Sequence, residues 1–197
     1  MQYKKGAVGI GTLIIFIAMV LVAAIAAAVL INVSGILQQR AMSTGKEAIA
    51  QVSSNIIVTS ISGKTNTNKT NIDNLTITIS AAAGAGRIDI GKMILKISNG
   101  DNQTEQKYNG TINNPDGAHF TATALRDPTG LFTKELPVID SSSLIQLHVV
   151  PSNDTTPVYL PPRTPLHIEL IPEHGASVTI DLVTPSTYPT TLQQLYP

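Results

Sequence analysis

Residues Leu13 to Ile31 read LIIFIAMVLVAAIAAAVLI, nineteen successive side chains drawn only from Leu, Ile, Phe, Ala, Met and Val. As a helix this run spans roughly 28 Å at about 1.5 Å per residue, enough to cross a bilayer. It has no polar face, and a helix that is apolar all round needs lipid or other protein around it. Thirteen of the nineteen side chains are large. At roughly 1.5 to 3 kcal/mol for each one buried, stripping away every cover costs on the order of 20 to 40 kcal/mol, an upper bound. This segment cannot stand alone in water.

Its flanks and interior add detail. Lys4, Lys5 and Gly6 form a short basic start that stays on the cytoplasmic side while the chain beyond the helix goes outside. Inside the run, Ala23 pairs with Ala27 and Ala24 with Ala28 at four-residue spacing, which lets helix backbones approach closely. With Leu13 and Phe16, these alanines are the candidate packing residues of a bundle of identical helices. Hydropathy alone also fits a permanent single-span anchor. It fits an ordinary secretory signal too, cut near Ala24-Ile25-Ala26 or Ala26-Ala27-Ala28, although the apolar stretch continues past those alanines to Val33.

Beyond Gly35 the residues Met42, Ile49, Val52 and Ile56 recur at spacings of seven, three and four, with Gln38, Gln39, Arg40, Lys46, Glu47 and Gln51 between them. That is one apolar stripe on a helix, so the buried segment is expected to pass into an amphipathic one. Gly35 and Gly45 each weaken a helix interior by about 1 kcal/mol and could mark bends or close contacts. The helix is expected to end between Ser60 and Gly63, where Ser, Gly, Thr and Asn accumulate. From there the period becomes alternating, at Ile72 to Ile79, Ile88 to Ile97, Phe120 to Leu125, Leu144 to Val150, Leu166 to Ile171 and Val178 to Val183. Turns such as Asn99-Gly100, Asn114-Pro115-Asp116-Gly117 and Asp127-Pro128-Thr129-Gly130 separate these segments. The expected fold is α+β: a long N-terminal hydrophobic α-helix over residues 7–61, then an antiparallel β-sandwich over 62–197. The sandwich is expected to be immunoglobulin-like in shape but to lack any Cys-Trp-Cys signature.

Composition narrows the function. With 13 basic and 13 acidic residues and no basic block, nucleic-acid binding has no electrostatic support. The chain has no cysteine, which excludes disulfide scaffolds, thiol nucleophiles and Cys-based metal sites. Gly63-Lys64-Thr65 resembles the end of a phosphate-binding loop, but Val58 stands where that motif needs Gly. Gly84-Ala85-Gly86 and Gly91 miss the dinucleotide spacing. His119, His148, His167 and His174 lie far apart, and none belongs to a His-Glu-x-x-His pair. Asp101, Asp116, Asp127, Asp140 and Asp154 fall in turns, where Asp bonds the local backbone, and they make no ordered ligand set. No enzyme, metal site or cofactor is expected. Asn-X-Ser/Thr triplets occur at Asn32, Asn68, Asn74, Asn102, Asn109 and Asn153. Asn32 sits in the buried helix and is expected to stay unmodified.

The string Lys4-Lys5-Gly6-Ala7-Val8-Gly9-Ile10-Gly11-Thr12-Leu13-Ile14, leading into an Ile/Val/Ala-rich helix, resembles the class III signal and N-terminal helix of archaeal flagellins, or archaellins. Glu173-His174-Gly175-Ala176 and Thr184-Pro185 are loosely similar to archaellin C-termini. The resemblance implies that residues 1–6 are a leader and that a prepilin-peptidase-like membrane protease cuts after Gly6. The mature chain would then begin at Ala7, with Gly9 as its third residue. It further implies a subunit whose helix waits in the cytoplasmic membrane and then enters the core of an extracellular motility filament on the archaeal surface. That filament is a helical polymer of this chain, with or without other archaellins, rotated by a separate membrane-embedded motor. N-linked glycans are implied at Asn68, Asn74, Asn102, Asn109 and Asn153. Adhesion pilins also have a cut leader and a core helix, but they usually carry Glu at the fifth mature position, which is Gly11 here. From a different class, a membrane-anchored surface β-domain that binds a ligand would show the same hydropathy.

Overall fold

A computed structural model describes residues 3–53, 55–152 and 157–197, with side chains for 9–49, 55–152 and 157–197. The chain forms two compact units, divided between Ala48 and Ile49.

The first unit is almost entirely one helix, α1, Tyr3–Ser53. Its 51 residues reach about 77 Å at about 1.5 Å per residue. No proline occurs before Pro115, so nothing removes an amide donor from the helical ladder. Gly35 and Gly45 do not interrupt it, and open space lies where a Cβ would stand on either. Neither glycine marks a break or a contact within the chain.

The helix stops at Ser53 rather than running to residue 61, and the β-unit begins accordingly with β1, Ile56–Thr65. Ile56 stands at a helical spacing from Val52, yet it opens the β-branched run Ile56-Ile57-Val58-Thr59, whose stiff side chains favour a strand. That strand pairs antiparallel with β2, Ile72–Ala81, and Ile56 is buried in the sandwich core. Ten further strands complete the unit. They are β2, β3 (Ile88–Asp89), β4 (Ile94–Ser98), β5 (Gln103–Tyr108), β6 (His119–Arg126), β7 (Val138–Ile139), β8 (Leu144–Val149), β9 (Pro165–Ile171), β10 (Val178–Val183) and β11 (Leu192–Tyr196).

Nine of these strands form one sheet in the order β10-β9-β4-β5-β6-β8-β2-β1-β11, and β3 pairs with β7. All neighbours in the large sheet are antiparallel except β5 and β6, which run parallel through Lys107 opposite His119 and Tyr108 opposite Phe120. This junction divides the sheet into two antiparallel halves that face each other. Leu95, Ile97, Ile168 and Leu170 come from one half, and Ile61, Ile77, Ile145 and Leu147 from the other, all within one buried cluster. Alternation produces this arrangement: in β8, Ile145, Leu147 and Val149 are buried while Gln146 and His148 turn outward. The edge strand β10 also comes near β1 and the opposite edge β11, so the sheet curls towards closure. The expected two-layer sandwich is thus formed, its layers being the two halves of the folded nine-stranded sheet.

Buried polar groups tie the layers together. Gln106 on β5 has no exposed surface, and its Nε2 donates to the Val150 carbonyl just beyond β8 at 2.5 Å. Asp116, Asp127 and Asp140 bond local backbone as their turn positions suggest, while among the described residues Asp101 offers only its own N–H, to Asn99, and Asp154 lies outside them. Asp127 accepts from the Phe132 N–H at 2.7 Å and from the Thr129 hydroxyl at 3.0 Å. Asp140 accepts from the Ser142 hydroxyl at 2.7 Å, the Ser143 hydroxyl at 2.9 Å and the Ser142 N–H at 2.9 Å. These bonds hold both carboxyls below the ordinary Asp range, the Phe132 N–H being the main cause for Asp127 and the Ser142 hydroxyl for Asp140. Nearby, Gly110 fits against the backbone of the segment that follows β6. A Cβ there would lie 1.9 Å from the Lys134 carbonyl oxygen, which also accepts a hydrogen bond from the Tyr108 hydroxyl at 3.0 Å.

Two outcomes follow for the full chain in detergent. Gly110→Ala drives its methyl into backbone that must move, and denaturant titration should show a loss of about 1 to 3 kcal/mol. The two aspartates have folded pKa values below their unfolded ones, so their stabilisation is complete above roughly pH 5 and is lost as pH falls through the folded values. The melting temperature should drop steadily below about pH 4. Asp140→Asn should lower it already at pH 6 and flatten the acid dependence, and an unchanged acid profile would remove Asp140 from this role.

Candidate assembly surface and modification sites

Five consecutive residues of an α-helix sweep the whole of its circumference at about 100° each. Leu13, Ile14, Ile15, Phe16 and Ile17 are all between 50% and 65% exposed, so apolar surface surrounds α1 at that level. The same holds onward through Met19, Leu21, Ile25, Leu30, Ile36 and Leu37. Ala23, Ala24, Ala27 and Ala28 are exposed among them, and Gly9 and Gly11 have open space where a side chain would stand. The helix has the length and composition to cross a membrane from Gly9 to Ile49. Its polar character returns after Leu37, and the Ser43 hydroxyl donates to Glu47 at 3.2 Å. Of the expected apolar stripe, Met42 and Ile49 are exposed on α1, the Val52 side chain lies outside the described residues, and Ile56 belongs to β1.

Among the candidate leader residues, Lys4, Lys5, Gly6 and Ala7 have helical backbone, and their side chains lie outside the described residues. Gly9 is helical and exposed.

The glycosylation triplets differ in their freedom. Asn68 is exposed in the turn between β1 and β2, and Asn74 is exposed on β2 opposite Lys64. Asn102 is exposed, but its Nδ2 donates to the Pro157 carbonyl at 3.0 Å. Asn109 is half-buried, and its Oδ1 accepts from the Thr111 N–H at 3.0 Å and the Thr111 hydroxyl at 2.5 Å. Asn153 lies outside the described residues.

The histidines each have local surroundings and do not converge. The His119 ring nitrogen lies 3.1 Å from an Asp116 oxygen, and His167 pairs across the strands with Asp181. His148 meets the Thr123 hydroxyl at 2.9 Å, and burial pushes its pKa down. His174 stands 4.0 Å from Glu173, which itself pairs with Lys92 at 2.8 Å. Among the described residues no three His, Asp or Glu side chains gather as metal ligands would. The dominant unsatisfied feature is thus the apolar surface of α1. Sequence reasoning identified that surface, and it missed Gln106, whose type is usually exposed and whose burial depends on the fold of β5.

Comparison with known proteins agrees with this emphasis. The model of the archaeal-type flagellin family matches residues 6–182. Flagellin B2 of Methanocaldococcus jannaschii is 40% identical over 202 residues, covering 94% of this chain and 91% of the relative. Flagellin B1 of Methanococcus voltae is 37% identical, covering 98% and 95%. Among solved structures, the archaeal flagellum of Methanospirillum hungatei superimposes with a TM-score of 0.71 at 15% identity, covering 96% of this chain and 99% of that one. The crystal structure of archaeal flagellin FlaB1 from Methanocaldococcus jannaschii gives 0.63 at 22%, covering 73% and 97%. With a family model spanning most of its length and whole-chain relatives of this similarity, the chain belongs to the archaeal flagellins, structural subunits of the archaellum filament and not enzymes.

Proposed function

We propose that this chain polymerises through α1, with helices from many copies packed together as the core of an extracellular helical filament that is rotated for swimming. The observation that carries this reading is the apolar surface that runs all round α1, with nothing among the described residues of the first unit to cover it. A head-to-tail contact that does not close on itself generates a helix, the geometry a filament needs. The alanine pairs Ala23 with Ala27 and Ala24 with Ala28 permit close approach, while Leu13 and Phe16 fill the spaces between neighbours. The β-unit keeps solvent-facing Thr, Ser, Asn and Gln side chains and carries N-linked glycans at Asn68, Asn74, Asn102, Asn109 and Asn153. A prepilin-peptidase-like protease removes residues 1–6 by cutting between Gly6 and Ala7, with Lys4, Lys5 and Gly9 completing the recognised signal. A membrane-embedded motor drives assembly and rotation, and other archaellins can share the polymer.

Three substitutions and the mature N-terminus test the reading. Ala24→Leu or Ala27→Leu should overpack the bundle by about 1 to 3 kcal/mol per copy, weakening subunit association roughly 5- to 150-fold and abolishing sheared filaments. Normal filament yield from both would count against alanine-mediated packing. N-terminal sequencing of wild-type filaments should start at Ala7, and Gly6→Val should leave an uncut precursor in the membrane fraction. A wild-type start at Met1 would instead favour a permanent anchor.

A further inference from the structure

Between Thr12 and Gln38 the apolar surface of α1 is interrupted by just two polar side chains, Asn32 and Ser34. Thr12 is satisfied within its own helix, its hydroxyl donating to the Gly9 carbonyl at 2.9 Å. Among the described residues, neither Asn32 nor Ser34 has a hydrogen-bond partner for its side chain. Asn32 is exposed, and its nearest neighbours along the same helix face are Ala28, Val29, Gly35 and Ile36. Any cover that removes Val29 and Ile36 from water removes the Asn32 amide with them. The main-chain groups of a continuous helix are already engaged with one another, so the amide needs a partner outside the first unit.

We propose that Asn32 is an intersubunit hydrogen-bonding residue, its amide pairing with a main-chain carbonyl or polar side chain on the helix of a second copy and thereby fixing the axial register between neighbours. The inference rests on the helix-mediated polymerisation described above. Apolar contact is non-directional, so two smooth apolar helices can slide past each other at little cost. A single amide in an otherwise apolar seam penalises every offset that leaves it unpaired, as polar residues at core positions of coiled coils do. In a helical polymer one offset repeats at every contact, so register becomes rise and twist.

The test is electron cryomicroscopy of filaments sheared from cells making the wild-type chain, Asn32→Leu or Asn32→Gln. In wild-type filaments a polar atom of a neighbouring copy should lie within about 3.5 Å of the Asn32 amide. Asn32→Leu keeps the branched heavy-atom outline but removes both polar groups, and should lose the single rise and twist, giving mixed symmetries or no assembly, whereas Asn32→Gln, also larger than Asn, should keep one symmetry. Asn32→Leu filaments with wild-type rise and twist would overturn the proposal, as would a purely apolar environment or a glycan at Asn32 in wild-type filaments. Equal loss in both variants would assign the effect to volume and overturn it as well. Wild-type filaments whose core is not built from residues 13–37 would overturn the polymerisation reading itself, a separate result.

Discussion

Everything in this molecule depends on the cover required by α1. A helix of a soluble domain solves the problem of its apolar residues by turning one stripe, about a third of its circumference, against its own core. From Leu13 to Ile17 alone, α1 presents large apolar side chains in every direction, and one partner surface could not cover them. A helix of this kind needs a solvent of its own, which is either a bilayer or a ring of similar helices. Membership of the archaeal flagellins makes copies of the same chain the natural source of that ring.

The β-unit has the opposite character. It lacks cysteine and tryptophan, and the buried cluster from Ile56 to Tyr188, with the strand ladders and a few buried hydrogen bonds, holds it together without disulfides. Its folded sheet brings the edge strands β10 and β11 near each other. A long free strand edge is a template for pairing with another chain, and copies held at filament density would meet such edges constantly. Curling the sheet reduces that hazard. Directed association is thereby left to the helix, and the sheet keeps an outward face of residues such as Thr76, Gln146 and His148.

Much of this was legible in the sequence because the strongest signals are local. Nineteen apolar residues without a break specify a lipid- or protein-covered helix whatever follows them, and the alternation in Leu144 to Val150 or Leu166 to Ile171 marks a sheet with one buried face. The helix end was misread at a place where two periods coincide, since Ile56 fits both a helical stripe and the first residue of a β-branched run. Strands β5 and β11 escaped for another reason. Gln103 to Tyr108 is almost wholly polar and the apolar residues of Leu192 to Tyr196 do not alternate, so both are strands because neighbours supply their partners. The parallel junction of β5 with β6 and the burial of Gln106 are likewise products of topology. For the assembly surface the reverse held: its residues were plain in the sequence, and the structure adds that nothing within the first unit covers them.

The nature of that surface also implies an asymmetry in how the polymer forms and persists. A copy whose helix lies in hydrocarbon is already covered, so moving into a bundle exchanges one apolar cover for another and yields little hydrophobic free energy. In the bundle proposed above, what favours association is close backbone approach at small residues such as Ala24 and Ala28, together with hydrogen bonds that hydrocarbon cannot offer. These contributions are modest, and they leave the step from bilayer to bundle finely balanced. Escape of the same helix from a filament into water is different in kind. It would expose thirteen large apolar side chains at once, at a cost on the order of 20 to 40 kcal/mol as an upper bound. Exchange is therefore possible where lipid is present and negligible along the shaft. A polymer packed through this helix would hold its subunits along its length once they are in water.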